Sequence, residues 1–239
     1  MAKPCPEKVP RKVHGRKLGR PMHKTRIEVL DIILPRLEIP KALLQETQSL
    51  DPSEIFGVKP KALHVEIGFG SGEHVRALLD AFPDHHVIGA EPYINGMAAF
   101  LKDVKDNPPF ERCRVLMDDA LMILNSLQDA SVDYLYILNP DPWPKSRHHK
   151  RRMAHPDNLK IFARILKDNA TMIQTTDVDE LAGWMASQTV NNPDFEWLAE
   201  CATDWQTPPV GWLPTRYETK GIAAGRKQTY LQYRRKPRS

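Results

Sequence analysis

Cysteine is scarce in this sequence: 239 residues contain three, at Cys5, Cys113 and Cys201. An odd number at such wide spacing builds neither a disulfide framework nor a cysteine metal site. They read as reduced thiols, which makes the cytoplasm the expected compartment. Long apolar runs are also missing. Nothing approaches the roughly 20 consecutive apolar residues of a membrane helix, so no membrane partner is expected. The opening stretch M-A-K-P-C-P-E-K-V-P-R-K is basic and interrupted by proline, unlike a secretory signal. The nine histidines form no metal-ligand pattern, and no metal is expected. No internal repeat is visible.

What is present suits an ordinary soluble globular protein. Hydrophobic residues make up 41% and charged residues 27% of the chain, enough for one large α/β domain with a substantial core. The formal net charge of +4 is unevenly placed. Residues 1–24 hold eight Lys or Arg against one acid, Glu7, and lack hydrophobic periodicity. They read as a flexible basic arm before a single domain over 25–239. Residues 145–152 pack five Lys or Arg and two His into eight positions. Two basic clusters separated by a near-neutral stretch point to a polyanionic partner.

From Thr25, a possible N-cap, apolar residues recur at helical spacing, and Pro35 is expected to bend or end that helix. From residue 61 strands and helices alternate. A-L-H-V-E-I, H-V-I-G-A-E, C-R-V-L-M, V-D-Y-L-Y-I-L and A-T-M-I-Q-T read as five buried strands, each followed by a helix. F-E-W-L-A-E and Q-T-Y-L-Q-Y read as two closing strands joined by a long irregular loop. Such alternation gives a Rossmann-like α/β fold: seven strands, mostly parallel, with helices on both faces. Ligands bind such sheets beyond the carboxyl ends of the strands. There the sequence places Glu66 with Gly68 to Gly72, Glu91, Asp118 and Asp119, 139–145, and Asp177. Acidic or polar residues at successive edges are hard to assign to packing.

E-I-G-F-G-S-G-E sets Gly68, Gly70 and Gly72 between a strand and a helix, where glycine allows positive φ and close approach of a ligand. Glu91, ending the next strand, suits ribose hydroxyls, so a nucleoside cofactor is expected. A dinucleotide fingerprint would need a third glycine at position 73, which is Glu73. That carboxylate would also repel a pyrophosphate at the helix N-terminus. S-adenosylmethionine has no phosphate and carries two cationic groups, for which Glu66 is well placed. Asp119 can accept from an adenine amine or cap the helix that starts at Ala120.

The segment N-P-D-P-W-P-K-S-R-H-H-K-R-R carries three prolines that stiffen the backbone around Asn139, Asp141 and Trp143. A rigid acid, an aromatic ring and a phosphate-binding cluster together suit reading a base within a nucleic acid. Further on, T-R-Y-E could contact bases and phosphates or simply start a charged helix. Asp177 could accept from substrate or cap the helix beginning at Val178.

D-P-W-P-K-x-R-H-x-K-R-R, preceded by this glycine loop and followed by T-D-x-x-x-L and T-R-Y-E, resembles the bacterial single-subunit tRNA (guanine-N7-)-methyltransferases. The resemblance covers about residues 10–235. It implies a class I methyltransferase fold and action on the variable-loop guanosine of tRNA; a monomer or weak homodimer is expected. It further implies cofactor contacts from Glu66, Glu91, Asp119 and Asp141, with Asp141 also catalytic. Lys145, Asp177, Thr215, Arg216, Tyr217 and Glu218 are implied to contact substrate. Asn139 departs from the family pattern. N-P-D-P partly resembles the N-P-P-Y motif of amino-group methyltransferases acting on adenine or a protein side chain, which keeps that alternative open. A nicotinamide-dependent oxidoreductase and a non-catalytic RNA-binding protein are the rivals from other classes.

Overall fold

The computed structural model describes residues 21–44, 48–106 and 110–238. Most of the basic arm expected over residues 1–24 therefore lies outside the described residues. Seven strands form one sheet in the order β3-β2-β1-β4-β5-β7-β6. The first five run parallel: β1 (Leu63–Ile67), β2 (His86–Ala90), β3 (Cys113–Leu116), β4 (Val132–Leu138) and β5 (Leu166–Thr176). β6 (Phe195–Trp197) and β7 (Thr229–Arg235) complete it, with β7 antiparallel to both neighbours. β1 and β2 are buried along their whole length: Val87 to Ala90 of β2 form an unbroken apolar or glycine run, whereas β1 alternates Leu63, Val65 and Ile67 with His64 and Glu66, whose buried side chains are hydrogen-bonded to Tyr136 and His74.

The helices are α1 (Lys24–Ile32), α2 (Leu34–Leu37), α3 (Pro52–Phe56), α4 (Glu73–Ala81), α5 (Ile94–Val104), α6 (Ala120–Ser126), α7 (Pro156–Ile165), α8 (Asp179–Val190), α9 (Thr203–Gln206) and α10 (Arg216–Ala223). They cover the sheet on both faces and divide the core in two. One half contains Val29, Val75, Leu78, Leu79, Met97, Phe100 and Leu101 from α1, α4 and α5. The other contains Ile55, Leu121, Leu124, Leu159, Phe162, Leu181 and Met185 from α3, α6, α7 and α8. In α4 the buried positions 74, 75, 78 and 79 form a single stripe, the helical signature of one face on a sheet.

Local chemistry sets most boundaries. The chain leaves α1 at Ile33 and restarts in α2 with Pro35 in the first turn, where a missing N–H is harmless. Asp51 and Glu54 form a reciprocal capping box at the start of α3. Several sequence expectations need correction. α1 begins at Lys24 with His23 as N-cap, so Thr25 lies inside the first turn and caps nothing. β5 starts at Leu166, four residues earlier than expected, with a register shift against β4 that accommodates exposed Asp168 and Asn169. The connection between β6 and β7 is not wholly irregular, since it contains α9 and α10.

The strand order reverses between β1 and β4. In a doubly wound sheet that is where the loops leave in opposite directions and open a crevice. Ile67 of β1 lies beside Ile137 of β4, so the glycine loop and the 139–145 loop emerge next to each other.

Candidate active site

A cavity of about 1380 Å³ opens above this switch point. Its floor is made by Glu66, Gly68, Phe69 and Gly70 from β1 and its loop, with Leu138 and Asn139 from the end of β4. Tyr93, Asn95 and Gly96 at the start of α5 form one side. Arg26 of α1 and Thr215, Arg216, Tyr217 and Lys220 of α10 form the rim. The buried acid of the floor is Glu66; Arg26, Arg216 and Lys220 gather at the rim, and Glu73, Arg76 and Asp103 also line the cavity.

Gly68, Gly70 and Gly72 all have positive φ, at 73°, 59° and 80°. A Cβ on Gly68 or Gly70 would meet nothing within 4 Å, so both present bare backbone to open space. Gly72 differs: a Cβ there would lie 2.2 Å from Cδ2 of Phe100. Its glycine is required by helix packing. This loop is held by Glu91, whose carboxylate accepts from the backbone N–H of Gly70 at 2.6 Å and of Tyr93 at 2.7 Å. A carboxylate has about four acceptor sites, which leaves two for a ligand's hydroxyls. Burial raises the Glu91 pKa, opposed by those two N–H groups and reinforced by the negative charges of Asp141 and Glu66. Three carboxylates thus share one field at adjoining strand edges. Such a site favours a cation and repels phosphate.

Glu66 is 1% exposed, and its Oε2 lies 2.8 Å from Nδ1 of the equally buried His74. The His74 ring packs edge-on against Tyr136 and 5.4 Å from the ring of Trp212. Asp119 caps α6, accepting from the N–H of Leu121 at 3.0 Å. Of its two sequence readings, the cap is the one realised within the chain.

The loop after β4 is extended by two non-glycine residues in the left-handed region, Asn139 at φ 48° and Trp143 at φ 42°. Such residues cost of order 1–3 kcal/mol and persist only when their surroundings hold them. The N–H of Asn139 donates to the Thr175 carbonyl at 3.0 Å, and its Oδ1 accepts from Nε2 of Gln228 at 2.9 Å. The Trp143 ring has the Arg151 guanidinium 5.1 Å over its face. Asp141 stands exposed between them, yet partial desolvation raises its carboxyl above the ordinary value. Lys145 and Arg147 project to solvent from the following short 3-10 turn.

Thr215 and Glu218 form a capping box at the start of α10, which exposes Arg216 and Tyr217 at the rim. Glu218 itself is 2% exposed. It accepts from Trp212 Nε1 at 3.0 Å, from the Tyr230 hydroxyl and from the N–H of Thr215. Turned inward and fully engaged, it locks the segment rather than facing a ligand. Asp177 does not cap α8, whose N-cap is Val178 with no side-chain acceptor. Its carboxylate, 5% exposed, instead accepts from Arg226 Nε at 2.5 Å. That guanidinium in turn lies 5.8 Å from the centre of the Tyr217 ring. Trp205 and Trp212 pack against the core clusters, as tryptophans usually do.

The sequence does not single out His74 or Arg26, and it places Arg152 in the basic run without marking it as buried. The two pocket residues Tyr93 and Asn95 could have been found, because they directly follow Glu91. Nothing local marks His74 as the partner of Glu66.

The family model Methyltransf_4, described as "Putative methyltransferase", matches residues 60–231. The chain is 39% identical to the tRNA (guanine-N(7)-)-methyltransferase of Rhodospirillum rubrum over 95% of its own length and 88% of the relative's. The enzyme of that name from Azorhizobium caulinodans is also 39% identical, over 93% of this chain and 94% of the relative. Among solved structures, the 16S rRNA methyltransferase KamB shares the fold, with a TM-score of 0.57 and 15% identity over 77% of this chain and 92% of that one. These matches and the class I arrangement of sheet, glycine loop and strand-edge acids agree: the chain belongs to the tRNA (guanine-N(7)-)-methyltransferase family.

Proposed function

We propose that the protein transfers a methyl group from S-adenosylmethionine to N7 of a guanosine in tRNA, the variable-loop guanosine being the target. The observation that carries this reading is the division of the crevice into an acidic floor and a basic rim. A cationic cofactor suits the floor, and a polyanionic substrate suits the rim. The residues present fit the cofactor. Gly68 and Gly70 offer backbone to open space, Glu91 keeps acceptor capacity for ribose hydroxyls, and Glu66 faces the same field. Asp119 adds an acceptor for an adenine amine.

When bound, S-adenosylmethionine supplies an electrophilic methyl group on a sulfonium. Guanine N7 carries an in-plane lone pair, so no residue has to remove a proton before attack. The work left to the chain is placement and charge stabilisation. Asp141, on its stiff loop, accepts from guanine N1–H and the exocyclic amine and opposes the positive charge the base acquires. Its raised pKa marks a partly desolvated carboxylate, where such charge complementarity is stronger than in water. Lys145 and Arg216 contact phosphate, Tyr217 contacts a base, and Thr215 fixes their segment. Glu218 acts from inside by locking that segment, and Asp177 by holding Arg226 beneath Tyr217. For the amino-group alternative, Gln228 already takes one of the two lone pairs of the Asn139 side-chain oxygen, while the relatives named for guanine N7 favour the first reading.

The test is to incubate the protein with unmodified tRNA and methyl-labelled cofactor, digest to nucleosides and identify the labelled one. N7-methylguanosine is expected. Label in a methylated adenosine, or in protein, would replace this reading with the amino-group one.

A further inference from the structure

Within the basic run 145–152, Arg152 is the one fully buried member, with His149 and Arg151 half-buried beside Trp184 and Trp143. Arg152 is 1% exposed, whereas Lys145, Arg147 and Lys150 are exposed. Its Nε donates to the Pro142 carbonyl at 2.9 Å and its Nη2 to the Trp143 carbonyl at 3.4 Å. Nη1 and Nη2 also donate to the two carboxylate oxygens of Glu180, at 3.0 and 2.6 Å. The guanidinium lies 4.9 Å over the ring of Trp184 on α8. The two carbonyls belong to the residues that follow Asp141, and Trp143 is one of the two left-handed, non-glycine positions of the loop.

A left-handed tryptophan relaxes toward negative φ unless something holds the peptide on each side of it. Prolines at 140, 142 and 144 fix their own φ but cannot hold Trp143. The Asn139 end of the loop is held by Gln228 and Thr175. At the Trp143 end Arg152 reaches two consecutive carbonyls and a carboxylate at once. A planar fork of five donors can do this, and an ammonium group cannot.

We infer that Arg152, backed by Glu180 and Trp184, is a positioning residue that clamps the strained 139–143 loop and thereby aims Asp141, rather than a phosphate contact. The inference rests on the reading of Asp141 as the catalytic carboxylate.

The experiment compares Arg152→Lys, Glu180→Ala, Asp141→Ala and the Arg152→Lys/Asp141→Ala double variant. For each, kcat, tRNA affinity across salt concentrations, cofactor affinity and Tm are measured. Arg152→Lys keeps the positive charge and should still lose about 50-fold in kcat, as expected when a reacting group is misplaced. Its cofactor affinity and the salt slope of tRNA binding should stay unchanged, because no phosphate contact is removed. Glu180 has a largely exposed side chain, so Glu180→Ala leaves the core intact and should lower kcat by about tenfold. The double variant should be no slower than Asp141→Ala alone, since both act through one group.

Wild-type kcat in Arg152→Lys would overturn the inference, and so would a flatter salt slope at unchanged kcat. If Arg152→Lys fails to fold, Glu180→Ala decides: a fall in kcat at wild-type Tm supports the clamp, and an unchanged kcat refutes it. Full turnover in Asp141→Ala would instead refute the catalytic reading, whatever the arginine variants do.

Discussion

The loop after β1 takes its left-handed turns on glycines, whereas the neighbouring loop after β4 takes them on Asn139 and Trp143. Both line the same crevice, and both must hold still. In the first, residue type alone removes the conformational penalty, and the loop needs little beyond Glu91 to fasten it. In the second, the penalty stands and is offset by distant partners: Thr175 on β5, Gln228 just before β7, and Arg152 with Glu180. Bare glycine backbone suits close approach of a small cofactor. A side-chain-rich, clamped loop suits recognition of a base, because it can carry an acid and a ring at fixed positions.

The difference can be broken at its strongest point first. Asp141→Ala should lower turnover by about a thousandfold with tRNA affinity retained, since a preorganised electrostatic contact is lost. Single-turnover methyl transfer beside a tRNA binding assay measures both. Turnover within about tenfold of wild type would remove Asp141 from the chemistry.

The two loops should also respond differently to alanine. Gly72→Ala drives a Cβ into Phe100 at a position with φ 80° and should cost about 3 kcal/mol of stability. Gly68→Ala meets open space and should cost only the backbone strain, about 1 kcal/mol. Urea melts of the two variants compare them directly, and equal losses would contradict the assignment of Gly72 to packing.

Acid sharpens the electrostatic side of the comparison. Glu91 and Asp141 both have pKa values raised by burial, so each holds its proton to a higher pH than in the unfolded chain. In the ligand-free protein these two groups favour the fold at low pH and lose that contribution as pH rises from the ordinary carboxyl range through their raised values. A bound cation reverses the preference by stabilising the charged forms. Cofactor binding should therefore release protons, and affinity should fall on acidification by up to about tenfold per pH unit. Titration calorimetry in buffers of different ionisation enthalpy reads the released protons directly. A pH-independent affinity would contradict the acidic, cation-binding floor.

The smallest effect should come from Asn139→Gly. It relieves the left-handed strain and loses the Gln228 hydrogen bond, so stability should stay within about 1 kcal/mol of wild type. Turnover should still drop about tenfold as the loop gains freedom. A parallel fall of Tm and kcat would show instead that Asn139 serves the fold alone.

The same contrast decides what could be read from the sequence. The central sheet was legible because short strands rich in Val, Ile and Leu alternate with helical segments, and the β1 loop because its conformation is written in glycine. Glu91 at the next strand end and the helix start at T-R-Y-E were legible from local pattern as well. The partners of the β4 loop were not, since Gln228 lies 89 residues from Asn139 and Glu180 lies 28 from Arg152. Glu218 showed the complementary failure: a charged residue in an exposed-looking segment is drawn inside by Trp212 and Tyr230. A basic run reads as one surface, and only the fold separates inward Arg152 from outward Lys145.

The account turns on attack by a ring nitrogen that needs no deprotonation, and one substrate tests that directly. A tRNA transcript carrying 7-deazaguanosine in place of guanosine has a C–H where N7 stood but keeps its phosphates, N1–H and exocyclic amine. The account predicts that it binds and competes like the unmodified transcript while accepting no methyl group. Methylation of that transcript at the wild-type rate would place the reaction on another atom and contradict the account.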